Sequence, residues 1–482
     1  MPANSGPEWA ESLATVEKHD TPLEEATTSS LEALKVYSTA WKVHSTAGPG
    51  PSIPLYKRAT EIDPKFAVAY SFLGRSYGDI GESALSAENT TKAYQLRDRA
   101  SDTEKFFIMA TYYQQVTGNL EKARETYELW GQAYPREIRS PSLLSGAIYP
   151  VFGEYEKAIE AAKTSIAIDP NFPFPYLTLG TAYQLLDRLP EAAATFQQAS
   201  GRKVDIPDFL LQRYDLAFLM GDKSGMDRLV AQAKKLGVED SMSNHEAFVL
   251  AYSGHLEQAR MMSRKAVDLV QQTQAETAAL YQAGAAVREV FLGNVADAKR
   301  SAEAALQLSK TRDVQYGAAF ALALSGDSSR SRALANDLEK RFPEDTSVRT
   351  SYLPTLRALL DPARAIEALR VATPNELGVP RSWFSGTFGQ LYPVYVRGLA
   401  YLASHQGTEA AAEFQKILDH RGIVAADPIG ALAHLQLGGA FILAGDKTKA
   451  KAAYRDFLTL WKDADPDVPI LKQAQTEYAK LQ

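Results

Sequence analysis

Cysteine is absent from the 482-residue sequence, which excludes disulfide bonds, thiol nucleophiles and thiolate metal ligands. No run of about 18 apolar residues occurs, so the sequence contains no candidate transmembrane helix. Residues 1–20 lack both a basic segment and an apolar segment, and no signal peptide is predicted there. We therefore expect a soluble, cytoplasmic protein, or a periplasmic one if the sequence belongs to a larger membrane-anchored chain.

The chain also lacks a strong excess of charge. Its net charge is −6, and Lys and Arg are spread along the sequence rather than clustered, so nothing favours binding to nucleic acid or insertion into a membrane. The seven histidines never stand three or four residues apart, which excludes the paired helical ligands typical of a metal site. No Walker A, GxSxG or GxGxxG motif occurs. We predict a non-enzymatic protein without a cofactor or a metal ion.

One short motif offers an alternative to that prediction. The run Gly326-Asp327-Ser328 resembles the start of a GDS-type hydrolase motif. It falls, however, where a turn between two helices is predicted, and Gly and Asp are favoured in turns for backbone reasons. We prefer the turn interpretation.

A recurring helical unit organises the chain, and its clearest copy spans residues 173–199. The first half of this copy has large and small residues at helical spacing, and the second half repeats the arrangement; the residues are Tyr176, Leu179, Gly180 and Tyr183, then Ala192, Phe196 and Ala199. Two antiparallel helices in about 34 residues are typical of the tetratricopeptide repeat (TPR). Gly180 and Ala192 would let the two helices approach closely. One such hairpin cannot bury its apolar face alone, so the copies must stack.

The repeats predict an all-α TPR solenoid, a right-handed superhelix of about twelve units with a capping helix at its C-terminus. We divide the chain into five parts. These are a disordered or short-helix lead-in (1–28), an N-terminal TPR array (29–206), degenerate helical pairs (207–372), an irregular aromatic-rich loop (373–390), and C-terminal TPR units with the capping helix (391–482).

Four stretches resemble a more specific group of proteins. Their amino-acid sequences resemble the TPR-rich C-terminal region of bacterial, mainly acidobacterial, serine/threonine protein kinases and related winged-helix regulators. The stretches are residues 20–38, 74–83, 410–438 and 445–481. The resemblance implies a sensory or protein-binding region. It does not imply kinase activity, because the chain has no Gly-rich loop with a strand Lys, no HRD-type loop and no DFG. The alternative to a free-standing scaffold is therefore a region that acts with a separately encoded kinase or transcription regulator.

In a TPR superhelix the first helix of each unit lines the concave groove, chiefly through its fifth and ninth residues. Here these pairs are Ser71 and Arg75, Ile108 and Tyr112, Leu143 and Ala147, and Leu177 and Thr181. The Lys and Asn of a carboxylate clamp are missing, so we do not expect binding to acidic chaperone tails. The mixed lining suits an extended or helical peptide, unless these residues only pack against one another in a tightly wound superhelix.

An aromatic cluster follows in the irregular stretch, formed by Trp383, Phe384, Phe388, Tyr392 and Tyr395. Such residues either anchor a partner, as interface hot spots do, or fill a gap where the repeat register slips, and we favour the gap-filling role. The predicted function is a non-enzymatic scaffold for a protein or peptide partner, and a second copy of the chain is an alternative partner. The candidate peptide-binding residues are Arg75, Tyr112, Thr181, Trp383, Phe384 and Tyr395.

Overall fold

The computed structural model describes residues 28–379, 388–389 and 391–481. Within these residues the chain forms 26 α-helices and no β-strand. Successive helices pack as antiparallel pairs, which confirms the predicted all-α TPR solenoid. None of the helices in the described part of the chain combines the length and the apolar composition needed to cross a bilayer.

The first six pairs form the N-terminal half of the solenoid. They are α1 (Leu31–Ala47) with α2 (Pro49–Ile62), α3 (Ala67–Asp79) with α4 (Ser83–Gln95), α5 (Asp102–Tyr112) with α6 (Leu120–Ala133), α7 (Arg139–Leu143) with α8 (Tyr155–Ile168), α9 (Phe174–Leu185) with α10 (Leu189–Arg202), and α11 (Asp208–Met220) with α12 (Lys223–Leu236). Helices α5 and α7 continue into π-helical turns at Tyr113–Thr117 and Leu144–Ile148.

Six further pairs complete the predicted twelve. They are α13 (Glu239–Tyr252) with α14 (Leu256–Val270), α15 (Ala275–Phe291) with α16 (Val295–Leu308), α17 (Arg312–Leu324) with α18 (Ser328–Arg341), α19 (Leu353–Leu360) with α20 (Ala365–Leu369), α21 (Tyr392–Ala403) with α22 (Gly407–Asp419), and, after the short α23 (Arg421–Val424), α24 (Pro428–Leu443) with α25 (Lys447–Leu460). The last helix, α26 (Pro469–Ala479), buries Leu471 and Ala474 and covers the end of the array as the predicted capping helix.

The turn inside most pairs is made by a residue with positive φ. This residue is usually a glycine, for example Gly254 and Gly326, both with φ 77°, while Asp187 and His405 take the same place in two other pairs. Glycine is favoured there because the left-handed conformation brings no penalty from a side chain. In the turn at Gly326, the neighbouring Asp327 caps α18 by accepting a hydrogen bond from the Arg330 amide at 3.3 Å. The turn interpretation of this run therefore accounts for its residues.

Within a pair, a small residue of the first helix receives a large ring from the second. A Cβ placed on Gly438 would lie 2.6 Å from the Tyr454 ring, and one on Gly398 would lie 2.7 Å from the Phe414 ring. Gly180 stands in the same relation to Phe196, as the sequence indicated. The helix pair is therefore held together by a close approach that only glycine allows.

The solenoid winds back onto itself, so that later repeats touch the turns of earlier ones. The Thr346 amide donates to the Gly118 carbonyl at 2.9 Å, and the Val379 amide donates to the Pro150 carbonyl at 3.0 Å. Arg421 pairs with Asp187, which precedes it by 234 residues. With about 34 residues in a repeat, these contacts correspond to roughly six or seven repeats in one superhelical turn.

The glycine–ring contact gives a first prediction. Replacing Gly180 by Ala should destabilise the protein by about 1–3 kcal/mol, because the added methyl group overlaps the Phe196 ring in a packed core. The measurement is the urea midpoint of unfolding followed by circular dichroism. Gly201→Ala is the matched control, since a Cβ at Gly201 meets nothing within 4 Å; this change should leave stability unchanged or raise it by up to about 1 kcal/mol. Equal midpoints for the two variants would contradict the packing argument.

A second prediction concerns the contact between superhelical turns. Buried Glu276, on α15, accepts hydrogen bonds from the Ser83 hydroxyl and, at 3.1 Å, from the Ala84 amide. Glu276→Ala leaves both donors without this acceptor and should cost about 1–3 kcal/mol. It should also accelerate hydrogen exchange of the amides at the start of α4. Glu303→Ala, which removes the exposed pair with Arg330, should change stability by less than about 1 kcal/mol.

Candidate functional site in the first six repeats

The first helices of the first six repeats surround a cavity of about 190 Å³ on the concave side of the superhelix. We call this space the lumen cavity. Each of α1, α3, α5, α7, α9 and α11 contributes to its wall. The residues that define it here are Trp41, His44, Phe72, Arg75, Asp79, Phe107, Arg139, Phe174, Thr181, Asp208 and Val379. The concave groove of a TPR array is therefore reduced in this half of the protein to a small chamber.

The chamber is small because the superhelix brings its first repeat against its fifth. The Trp41 ring of α1 lies 6.1 Å from the Phe172 ring, and the His44 ring lies 5.4 Å from the Phe174 ring. On another side Val379, which belongs to the later superhelical turn, completes the wall. The tight winding thus converts an open groove into a partly enclosed site.

Aromatic rings form a continuous part of the wall. The Trp41 and Phe72 centroids are 5.2 Å apart, and the Phe72 and Phe107 centroids are 4.5 Å apart. Phe172 and Phe174 meet edge to face at 5.4 Å. Rings packed against one another in this way have few alternative rotamers, so the wall offers a rigid apolar surface to a ligand.

Two guanidinium groups reach the cavity, and each has its own carboxylate. Arg75 pairs with Asp79 at 2.9 Å and donates to Gln114 at 3.1 Å. Arg139 pairs with Glu137 at 2.5 Å, and its guanidinium lies 5.0 Å from the centre of the Trp130 ring. Both cations are therefore neutralised locally.

The carboxylate of Asp208, in the first turn of α11, has no cationic partner in the part of the chain that the structure describes. Among the described residues no Lys, Arg or His side chain acts as an ionic partner of its carboxylate, which accepts a hydrogen bond from its own backbone amide. Removal from water, with a smaller contribution from the nearby charge of Asp79, raises the pKa of Asp208 to about 6. The carboxyl group is thus mostly ionised at pH 7, in a setting that disfavours its charge.

His44 carries no charge near neutral pH. Burial lowers the pKa of His44 to about 4, and its Nδ1 contacts the hydroxyl groups of Ser52 at 3.3 Å and Ser76 at 3.4 Å. Near neutral pH the histidine therefore does not balance the charge of Asp208.

The structure brings together two of the predicted site residues. Arg75 and Thr181 both line the lumen cavity, and the Thr181 hydroxyl bonds to the Leu177 carbonyl and to Gln212. Tyr112 lies elsewhere, with its ring stacked 4.0 Å from the ring of Tyr94. Tyr112 therefore packs against the second helix of the preceding repeat rather than facing the chamber.

None of the described members of the aromatic cluster, Phe388, Tyr392 and Tyr395, lines the chamber. Tyr395 is 4% exposed and packs against Phe291 and Phe414 with centroids 5.5 and 5.8 Å away. Phe388 and Tyr392 are also buried, as the gap-filling interpretation predicts. We leave Tyr395 out of the candidate site because its ring is inaccessible. Trp383 and Phe384 lie outside the described residues.

Sequence reasoning missed the residues that give the chamber its character, namely Trp41, His44, Phe174 and Asp208. The spacing of Trp41 and His44 on α1 placed them on one helix face, but no repeat position marked them as groove residues. No grouping of three His, Asp or Glu side chains suited to a metal ion occurs in the part of the chain that the structure describes.

Comparison with solved structures gives distant similarities. No protein-family model and no curated protein matches the chain. The structure of MamA is 24% identical over 34% of this chain and 94% of its own, with a TM-score of 0.22. PilW, a widely conserved type IV pilus biogenesis factor, is 18% identical over 43% of this chain and 94% of its own, with a TM-score of 0.29. Yeast Tom70 is 14% identical over 93% of this chain and 95% of its own, with a TM-score of 0.36. At these sequence identities and TM-scores, the similarities do not indicate a function for this protein.

The burial of His44 gives a third prediction. The pKa of a histidine in the unfolded chain is about 6.5, whereas that of His44 in the folded protein is about 4. Stability from this residue is therefore complete above pH 6.5 and falls as the pH drops towards 4, by up to about 3 kcal/mol. Asp208 acts with the opposite sign, because its folded pKa is raised, so the comparison must be between variants.

The measurement is the urea midpoint at pH 7 and at pH 4.5 for the parent protein, His44→Gln and His255→Gln. His44→Gln should lose less stability than the parent on acidification, since the unfolded state no longer gains a proton at this position. His255→Gln controls for the loss of a histidine outside the cavity and should follow the parent. Parallel behaviour of all three proteins would contradict the assignment of a buried neutral His44.

Proposed function

We propose that the protein is a non-enzymatic scaffold that binds a protein or peptide partner, with the lumen cavity as the recognition site. The observation that supports this is the convergence of six first helices, one from each of six repeats, on a single chamber. The wall is mostly apolar, with a few polar groups at fixed positions, which is the composition of a selective binding pocket.

The size of the chamber restricts how a partner would enter. The lumen cavity measures about 190 Å³ and is walled by packed aromatic rings. We therefore infer that a single side chain or an extended chain end of the partner is inserted. This narrows the sequence-based expectation of an extended or helical peptide.

The resemblance of residues 20–38, 74–83, 410–438 and 445–481 to the TPR regions of bacterial kinases supports a second, regulatory form of the proposal. In that form the partner is a separately encoded kinase or transcription regulator. The same binding site serves both forms, and identification of the bound polypeptide separates them.

The proposal predicts site-specific cross-linking. Leu143 lines the lumen cavity, whereas Leu129, on the second helix α6, is 56% exposed on the outer face. A photoreactive p-benzoylphenylalanine at position 143 should cross-link to a polypeptide from the host lysate, and the same group at position 129 should not. The products are identified by mass spectrometry.

A cavity-filling variant provides the control for that experiment. Ala147→Phe adds a ring to the wall of the chamber and should abolish the cross-link at position 143. Ala231→Phe adds the same ring on the exposed face of α12 and should leave the cross-link intact. Cross-linking that persists in Ala147→Phe, or that is equal at positions 129 and 143, would contradict binding in the lumen cavity.

A further inference from the structure

We propose that the lumen cavity binds an alkylammonium group, which pairs with the Asp208 carboxylate and lies against the aromatic rings of Trp41 and Phe174. This deepens the proposed function, on which it rests, by naming the chemical group that the chamber accepts.

The first step is the charge of the wall. The two guanidinium groups of the chamber each have a carboxylate partner, at 2.9 Å for Arg75 and 2.5 Å for Arg139. His44 is neutral near pH 7, since burial lowers its pKa to about 4. Asp208 therefore leaves the chamber with one surplus negative charge, and a ligand with one positive charge is its complement.

The second step is that the surplus charge is unfavourable without a ligand. Asp208 lies in the first turn of α11, where the helix dipole stabilises a carboxylate, yet desolvation is the largest influence and raises its pKa to about 6. Its own backbone amide donates a hydrogen bond to it, but no cation of the described residues offsets the desolvation. Ionisable groups with perturbed pKa values in a cleft are candidates for binding sites, and a bound cation would supply the missing positive charge.

The third step is that the carboxylate and the rings line the same small chamber. Gly48 ends α1, its amide bonding to the His44 carbonyl at 3.1 Å, and a Cβ on Gly48 would lie 3.4 Å from Asp208 Oδ2. His44 in turn packs against Trp41 at 5.8 Å and Phe174 at 5.4 Å. Residue 48 has no side chain that could cover the carboxylate, and Asp208, Trp41 and Phe174 line the same cavity.

The fourth step is the chemistry of these walls. Aromatic faces attract ammonium ions through the ring quadrupole, most strongly for Trp, and the attraction increases when water is excluded. A chamber of about 190 Å³ has room for on the order of a dozen water molecules, which suffices for a small alkylammonium ion or for the end of a lysine side chain. A neutral ligand of the same shape would gain the apolar contacts but leave Asp208 unpaired.

The test measures binding of tetramethylammonium and n-butylammonium to the full chain by isothermal titration calorimetry. We expect saturable binding of one cation per chain, with at least tenfold weaker binding of neutral 3,3-dimethylbutanol. Asp208→Asn should weaken cation binding at least tenfold, while Glu160→Gln, at an exposed carboxylate of α8, should leave it unchanged. Binding that is equal in the parent and in Asp208→Asn would overturn the proposal.

A pH titration adds a readout that a merely structural role of Asp208 would not give. The titratable and charged groups that line the cavity with Asp208 are His44 of α1, Arg75 and Asp79 of α3, and Arg139 of α7. With a pKa of about 6 for Asp208, a proton competes with the cation below that pH, and affinity should fall about tenfold between pH 7 and pH 5. Asp208→Asn should show no such fall. If Asp208→Asn does not fold, Asp208→Glu replaces it and should retain the pH dependence.

Two further arms separate the sources of the ammonium group and the two proposals. If tetramethylammonium added before irradiation prevents the cross-link at position 143, the cation comes from a partner's side chain or amino terminus. If cations bind in the absence of any cross-linked polypeptide, the ligand is a free amine; the cation site then stands and the scaffold proposal fails. If the cross-link forms but no cation binds or competes, the cation site is wrong and the scaffold proposal stands.

Discussion

The structure depends on hydrogen bonds between backbone segments that are more than two hundred residues apart. A TPR hairpin needs neighbours on both sides to bury its apolar faces, and most of that burial is local. Local stacking alone, however, would leave an open spiral. The bonds from the Thr346 amide to the Gly118 carbonyl and from the Val379 amide to the Pro150 carbonyl fix one superhelical turn on the next. Their acceptors lie in or beside hairpin turns, where carbonyl groups are free of the helical ladder.

This closure explains why the concave face became a chamber. As the first repeat meets the fifth, the rings of Trp41, Phe172 and Phe174 come together. Each of the three residues occupies a different position in the repeat. The same winding places Val379 over the wall. Enclosure removes water and makes the remaining electrostatics stronger. It is therefore the winding, and not any single residue, that gives the Asp208 carboxyl group its raised pKa.

The local features of the protein could be predicted from the sequence, because they depend on residues that are close in the chain. The helix pairs, the turn glycines, the close approach of Gly180 to Phe196 and the capping helix all follow from spacing within one repeat. Arg75 and Thr181 were found for the same reason, since repeat positions define the concave face. Tyr112 occupies the equivalent repeat position but stacks on Tyr94, in the second helix of the preceding repeat.

The candidate site itself could not be predicted, because its members meet only through the number of repeats in a superhelical turn. That number depends on the small rotation between neighbouring repeats, and errors in it accumulate over six units. In the sequence, Asp208 is an ordinary acidic residue in the first turn of a helix, where the helix dipole stabilises a negative charge. Only the winding that sets it beside Gly48, in the wall of the lumen cavity, shows that this carboxylate is desolvated and has no cationic partner among the described residues. In a repeat protein, the chemistry of a site can therefore reside in contacts to which the repeat pattern gives no weight.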